Sequence, residues 1–145
     1  MEDFKRILIP TDGSKTSEVA VDKGLSLARK IGAKVKVLFV VDKGNFRDIP
    51  PDDLITTLRG HMESKGNEML DEIQEKTDEL GVEMEKSLVH GHPDDIIVEE
   101  SKDFDLIVIG THDRSGLSRL LIGSVTERVV KHALCPVMVI KTREE

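Results

Sequence analysis

Residues 7–14 read ILIPTDGS, and this stretch sets the pattern for the rest of the chain. Ile7, Leu8 and Ile9 form an uninterrupted apolar run, which is typical of a strand that is buried on both faces. Pro10 stops the run, and the Asp-Gly-Ser that follows shortly after is a turn that places Ser14 where a helix N-cap belongs. The segment therefore predicts a buried β-strand that leads directly into an α-helix.

The same alternation of short apolar runs and helical periodicity continues along the chain. The predicted strands cover residues 7–9, 35–41, 83–89, 106–109 and 137–140. The predicted helices lie between Ser14 and Gly32, from Leu54 to Gly81, from Pro93 to Lys102, and from Gly123-Ser124 onward. Residues 42–52 are predicted to be an irregular connection, and residues 110–122 a loop of thirteen residues. Gly60 and Gly66 each weaken the long second helix by about 1 kcal/mol relative to alanine, so it is expected to fray or break there.

Strands that alternate with helices predict a parallel sheet with right-handed crossovers and helices on both faces. We predict one doubly wound α/β domain over residues 1–145, with a five-stranded parallel sheet in the strand order 3-2-1-4-5. The third strand is less apolar than the others, which favours a position at the edge of the sheet.

Composition excludes several classes of function. The chain has 145 residues with 28 acidic and 21 basic side chains, and the acidic excess lies in residues 42–105. A duplex nucleic acid is therefore an unexpected partner, and the absence of Trp and Tyr argues against a stacking platform for single strands. No apolar run reaches the roughly 18 residues that a membrane span needs. A lone cysteine, Cys135, excludes a disulfide framework and fits a reduced, cytoplasmic setting.

Ligands of doubly wound sheets bind beyond the carboxyl ends of the strands, where the winding changes direction. This rule directs attention to residues 10–14 and 110–124, which are rich in glycine, hydroxyl groups and small polar side chains. Gly123 precedes a helix whose N-terminal amides and dipole suit a phosphate. Ser124 and Glu127 also have the spacing of a capping box, in which case Ser124 is only a helix cap. The residues alone leave both interpretations open.

Other catalytic and metal-binding patterns are missing from the sequence. It contains no G-x-x-x-x-G-K-[ST], no G-x-G-x-x-G after a strand, no H-E-x-x-H, no C-x-x-C and no G-x-S-x-G. His90 and His92 have no third ligand nearby in sequence and are interpreted as surface or turn residues. Cys135 is interpreted as a packed thiol.

Several segments together resemble the universal stress protein family. They are residues 7–14 (ILIPTDGS), 105–112 (DLIVIGTH), 114–117 (RSGL), 121–127 (LIGSVTE) and 135–137 (CPV). The resemblance runs in order along the whole chain. It implies a cytoplasmic homodimer of five-stranded α/β subunits, joined through the last strand at Val137–Ile140. In the nucleotide-binding branch of the family it also implies ATP at the change of winding, with Mg²⁺ or Mn²⁺ as an accompanying ion.

The family motif is a glycine, two residues, a glycine, nine residues, a glycine and then Ser or Thr. Here it begins at Gly110 and ends at Gly123-Ser124 with the spacing intact. The resemblance implies the following nucleotide contacts. The adenine and ribose end would be Pro10, Thr11, Asp12 and Val41, the ribose would approach at Gly110, and the phosphates would be held by Gly123, Ser124, Val125 and Thr126.

The sequence departs from the family motif at one position, where Asp113 takes the place of the second glycine. An aspartate tolerates a left-handed backbone better than most residues, but its carboxylate would repel phosphates that it faced. At the ribose it would instead accept hydrogen bonds or help to hold a divalent ion, and Arg114 next to it would offset some charge. The alternatives are a nucleotide-free dimerisation and interaction protein, motivated by Asp113, and a slow ATPase in which His112 orients a water.

Overall fold

The structure is a computed structural model that describes residues 4–42, 53–113 and 123–143. The predicted irregular connection at 42–52 lies outside these residues except for Asp42, as does the 114–122 part of the predicted loop, which includes Arg114. Within the described part of the chain, no helix has the length and apolar character that crossing a bilayer requires.

Within the described ranges, five parallel strands alternate with four α-helices. The strands are β1 (Arg6–Thr11), β2 (Lys34–Asp42), β3 (Met84–Gly91), β4 (Leu106–Asp113) and β5 (Val137–Arg143). The helices are α1 (Lys15–Ile31), α2 (Asp53–Leu80), α3 (Pro93–Glu100) and α4 (Ser124–His132). The strands pair in the order β3-β2-β1-β4-β5, so the doubly wound fold, its strand order and the edge position of the third strand are confirmed.

The sheet has an apolar core on each face. Ile7, Ile9 and Val108 point to the face that α1 and α2 cover, where they meet Val21, Leu25, Leu70 and Ile73. Leu8, Ile107 and Ile109 point to the other face and pack with Ile97 of α3 and Val129 of α4. Ile7, Leu8, Val108 and Ile107 are fully buried, as expected for strands that are covered on both sides.

Pro10 does not end the first strand, contrary to the sequence-based expectation. β1 continues to Thr11 and pairs with β2 over its whole length. Asp105 N donates to Arg6 O at 2.9 Å, so the even-numbered residues of β1 direct their backbone groups towards β4. Among the described residues, however, the β1–β4 pairing ends at Leu8↔Ile107. The N–H that Pro10 lacks would face β4 at a position where no described ladder bond is formed. The strand therefore tolerates the proline.

The second helix is continuous through both of its glycines, so the expected break is wrong. Gly66 is buried, and a Cβ built on it would lie 2.8 Å from Leu88 and 2.9 Å from Phe39. The glycine thus lets α2 approach β2 and β3 closely, and the packing gained there offsets its low helix propensity. Gly60 is exposed with nothing described within 4 Å of such a Cβ, so it has no comparable packing role.

Candidate functional site

A cavity opens at the carboxyl ends of the strands, where β1 and β4 diverge. The β1–β2 pairing reaches Thr11↔Phe39 and the β4–β5 pairing reaches Asp113↔Arg143, whereas the described β1–β4 pairing stops several residues earlier. The space between the diverging strands has a volume of about 720 Å³. Its described lining is Pro10, Thr11, Asp12, Ser14, Thr16, Ser17, Leu38, Phe39, Val40, Asp42, Met62, Pro93, Ile97, Ile109, Gly110, Thr111, Gly123, Ser124, Val125 and Thr126. This volume lies within the range of ordinary small-molecule sites.

Hydroxyl groups fix the turn between β1 and α1 at one side of the cavity. Ser14 is the N-cap of α1, as predicted, and its Oγ accepts from Ser17 N at 3.2 Å. The Ser17 hydroxyl donates to Ser14 O at 2.9 Å and lies 2.9 Å from Thr11 Oγ1. Gly13 has φ +86°, a left-handed conformation that suits a glycine. The hydrogen bonds and the glycine together hold the Asp12 backbone in one position at the cavity mouth.

The carboxylate of Asp12 is held ionised by this turn. Nearby protein atoms that shield it from water would raise its pKa, but hydrogen bonds from the Ser14 and Ser17 side chains and from backbone N–H groups outweigh them and lower the pKa below its usual 3.8. One of these bonds runs from Ser14 N to Asp12 Oδ1 at 2.9 Å. A charged acceptor therefore faces solvent at the cavity mouth at neutral pH.

This lowered pKa makes the stability of the fold depend on pH. The folded state favours the ionised form, so the stabilisation is present above the unfolded pKa and is lost as pH falls through the lowered folded pKa. Asp12→Asn keeps one oxygen as an acceptor for Ser14 N, removes the charge and replaces the second oxygen by an NH₂ donor. We expect the variant to melt below the wild type at neutral pH, and the difference to shrink when melting curves are recorded at about pH 3. An equal difference at both pH values would show that the charge contributes nothing.

Two threonines join β4 to the start of α4 on the opposite side of the cavity. Thr111 Oγ1 accepts from Gly123 N at 3.3 Å, and the Thr126 hydroxyl donates to Gly110 O at 3.1 Å. Both side chains are buried. The N-terminus of α4 is thereby fixed relative to the end of the sheet.

The N-cap of α4 is Gly123, so the capping-box interpretation of Ser124 and Glu127 is wrong. Ser124 is the first residue of the helix, and no side chain caps the helix end within the described part of the chain. Glu127 instead forms an ion pair with Lys131 at 2.9 Å. The first amides of a helix have no partner inside it. The amides of Ser124, Val125 and Thr126 are thus left to an acceptor from outside the helix, next to the cavity that these residues line.

The two glycines of this segment differ in their surroundings. A Cβ built on Gly110 would lie 2.7 Å from Thr16 O, so the backbone of α1 approaches β4 too closely for any side chain. A Cβ built on Gly123 has no described atom within 4 Å, and the backbone there is extended, with φ −60° and ψ 154°. Gly110 is therefore required by packing within the fold, whereas Gly123 leaves open space at the cavity.

Comparison with known proteins agrees with this geometry. The sequence model of the universal stress protein family matches residues 3–141. The chain belongs to the universal stress protein family. It is 39% identical over 140 residues to universal stress protein MJ0531 of Methanocaldococcus jannaschii, covering 95% of this chain and 82% of that protein.

Solved structures share the architecture over almost the full chain. Protein MJ0577, whose structure was used to assign its biochemical function, superposes with a TM-score of 0.83 at 27% identity, covering 99% of this chain and 100% of the other. A universal stress protein family protein from Arabidopsis thaliana with AMP bound superposes with a TM-score of 0.71 at 26% identity, covering 97% and 92% of the two chains.

Most residues of the universal stress protein motif meet at the cavity. The predicted site residues that line it are Pro10, Thr11, Asp12, Gly110, Gly123, Ser124, Val125 and Thr126. Val41 is not among the described lining residues, and its side chain packs in the core beneath α1 and α2. Arg114 lies outside the described residues.

The sequence analysis expected the loop to begin at residue 110, and this expectation is wrong for Asp113 and the three residues before it. Residues 110–113 belong to β4 and pair with residues 140–143 of β5. The described chain has no positive φ outside glycine, so Asp113 needs no left-handed backbone. The partner strand β5 extends beyond its apolar run to Arg143, and this pairing lengthens β4.

Sequence reasoning missed the buried hydroxyls and part of the apolar lining. Thr111 and Ser17 are positioning residues that their place in the sequence could have revealed. Thr111 follows Gly110 directly, and Ser17 lies three residues after the N-cap of α1. The contributions of Met62 from α2 and of Ile97 from α3 had no local signal. They depend on how distant helices pack over the ends of the strands.

Proposed function

We propose that this universal stress protein binds an adenine nucleotide, with ATP as the ligand, in the cavity between β1 and β4. The observation that carries the proposal is the N-terminus of α4, which no described side chain caps and which opens onto a cavity of about 720 Å³. Unpaired amides and the positive end of a helix dipole favour a phosphate group. The Arabidopsis relative with AMP bound has the same fold at 26% identity, which supports an adenine nucleotide over other anions.

The lining suggests how the nucleotide is oriented. The amides of Ser124, Val125 and Thr126 hold phosphates at one end, and the exposed Ser124 hydroxyl donates alongside them. Val40 and the partly exposed Met62 offer an apolar surface to the base. Asp12 accepts hydrogen bonds from the base or the ribose as an ionised carboxylate. Thr16 O fills the space beside Gly110, and this close packing shapes the wall of the cavity.

Isothermal titration of the purified protein with AMP, ADP and ATP, each with and without Mg²⁺ or Mn²⁺, tests the proposal. We expect saturable binding of adenine nucleotides, and weaker binding of GTP as the matched control. An absence of heat for every adenine nucleotide at millimolar concentration would overturn it.

A nucleotide-free interaction protein is the second candidate, and Asp113 is the residue that favours it. Asp113→Gly restores the family motif without any change of backbone region, since residue 113 is in an extended strand. If the carboxylate repels phosphates, we expect the variant to bind ATP about ten-fold more tightly than the wild type, with a smaller change for AMP. Binding that appears only in the variant would assign the native chain to the nucleotide-free branch.

We also propose that the protein is a homodimer joined through β5. β5 is an edge strand of the sheet, and Met138 in the Val137–Ile140 run is 41% exposed. An apolar edge with unpaired backbone groups is a liability that pairing with a second copy removes. Light scattering at micromolar concentration is expected to give twice the 16.2 kDa chain mass, and a monomeric mass would contradict the proposal. Family membership supports a regulatory role for this dimer in stress adaptation, in the cytoplasm.

A further inference from the structure

Two methionines of α2 lie on the same side of the helix, next to the candidate site. Met62 and Met69 are seven residues apart, which is two helical turns, and both side chains are partly exposed. Met62 lines the cavity. Met69 contacts the turn between β1 and α1, which forms the cavity mouth.

The contacts of Met69 connect its sulfur to the turn. The Thr11 hydroxyl lies 3.7 Å from Met69 Sδ, in position to donate to it, and is also 2.9 Å from Ser17 Oγ. The methyl carbon of Met69 fills the space beside Gly13, because a Cβ built on that glycine would lie 2.9 Å from it. The thioether is thus packed against the residues that fix the Asp12 backbone.

We propose that Met62 and Met69 form an oxidation site at which hydrogen peroxide controls access to the cavity. A sulfur lone pair attacks one peroxide oxygen, so that an S–O bond forms as the O–O bond breaks. The sulfur loses two electrons and becomes a sulfoxide, and the other oxygen takes the proton of the attacked hydroxyl and leaves as water. The effect on nucleotide affinity rests on the function proposed above.

Oxidation at these positions changes the site in two ways. A sulfoxide oxygen is a much stronger acceptor than a thioether sulfur, so at Met69 it attracts the Thr11 hydroxyl away from Ser17. It also needs space beside Gly13, where the methyl group already fills the gap. At Met62 it places a polar oxygen in the lining of the cavity. The first change displaces the Asp12 turn, and the second disfavours an apolar base.

The chain contains a matched control for Met69. Met84 Sδ lies 3.6 Å from the Thr77 hydroxyl, which repeats the Thr11–Met69 arrangement at the far end of α2. Met84 does not line the cavity, so its oxidation leaves the turn and the lining unchanged.

The experiment treats the full chain with hydrogen peroxide and measures sulfoxide at each methionine by peptide mass spectrometry. AMP affinity and amide hydrogen exchange over residues 11–17 are then measured in the wild type, in Met62→Leu and Met69→Leu singly and together, and in the control variant Met84→Leu. Leucine keeps the volume of methionine and cannot be oxidised.

We expect oxidation to weaken AMP binding of the wild type about ten-fold, and to increase exchange over residues 11–17. The Met62→Leu/Met69→Leu variant retains its affinity after the same treatment, whereas the control variant loses it as the wild type does. AMP slows sulfoxide formation at Met62 but not at Met84, and methionine sulfoxide reductases restore the wild type.

Complete oxidation of Met62 and Met69 with unchanged affinity and unchanged exchange would overturn the inference. If the untreated protein does not bind AMP or ATP, the proposed function fails and the exchange measurement decides alone. Increased exchange over residues 11–17 that Met69→Leu prevents then supports the oxidation site, and unchanged exchange contradicts it.

Discussion

Gly123→Val is expected to weaken adenine nucleotide binding by roughly 100-fold or more while the melting temperature stays within about 2 °C of the wild type. The valine side chain occupies the space in front of the first amides of α4. A phosphate then cannot approach those amides to hydrogen-bond distance. The loss falls on the phosphate contacts, so isothermal titration should show a larger effect for ATP than for adenosine.

The fold has reasons to tolerate this change. No described atom lies within 4 Å of a Cβ at Gly123, and φ −60° with ψ 154° is an extended conformation that β-branched residues adopt readily. Gly60→Ala is the matched control, because Gly60 is exposed on α2 and is also free of close neighbours. It should raise stability by about 1 kcal/mol and leave binding unchanged. A Gly123→Val variant that unfolds would show that the glycine is structural and would remove the support for a phosphate site.

The sequence predicted the layout of the fold because its signals are local. Ile7–Ile9 and Leu106–Ile109 are apolar on both faces. Ser14 caps the start of α1 and Gly32 caps its end, both through contacts within a few residues. Such features depend on neighbouring residues alone. The family motif likewise placed Gly110 and Gly123 on the two sides of one cavity.

The remaining features depend on tertiary structure. Pro10 stays in β1 because β4 has already diverged, and residues 110–113 become strand because β5 extends beside them. Ser124 and Glu127 have capping-box spacing, yet Thr111 accepts from Gly123 N and the helix begins one residue earlier than a Ser124 cap requires. The Val41 side chain packs in the core beneath α1 and α2, which its apolar neighbours in sequence did not distinguish from a place in the cavity lining.

Gly110→Ala is expected to destabilise the fold by about 2–3 kcal/mol, the cost of overpacking a closely packed position. For a chain of this length the melting temperature falls by roughly 5–10 °C. The added methyl group would lie 2.7 Å from Thr16 O and 3.2 Å from Thr16 C. These are backbone atoms of the first turn of α1, so no rotation of a side chain relieves the contact.

Relief requires α1 to move away from β4, and that movement disturbs the candidate site as well. Thr16 is the second residue of α1, and its neighbour Ser17 bonds to Ser14 and to Thr11. A shift of the helix start therefore displaces the Asp12 turn. We expect nucleotide affinity to fall together with stability, in contrast to Gly123→Val, which separates the two.

Two further variants identify the atom that is responsible. Gly123→Ala adds the same methyl group on the other side of the cavity and should leave the melting temperature unchanged. Thr16→Ser removes Thr16 Cγ2, which would lie 3.0 Å from the new methyl group, but keeps the carbonyl oxygen. If the backbone contact dominates, Thr16→Ser does not rescue Gly110→Ala in thermal melts. Full rescue would identify Thr16 Cγ2, and not the backbone carbonyl, as the source of the clash and would contradict this account.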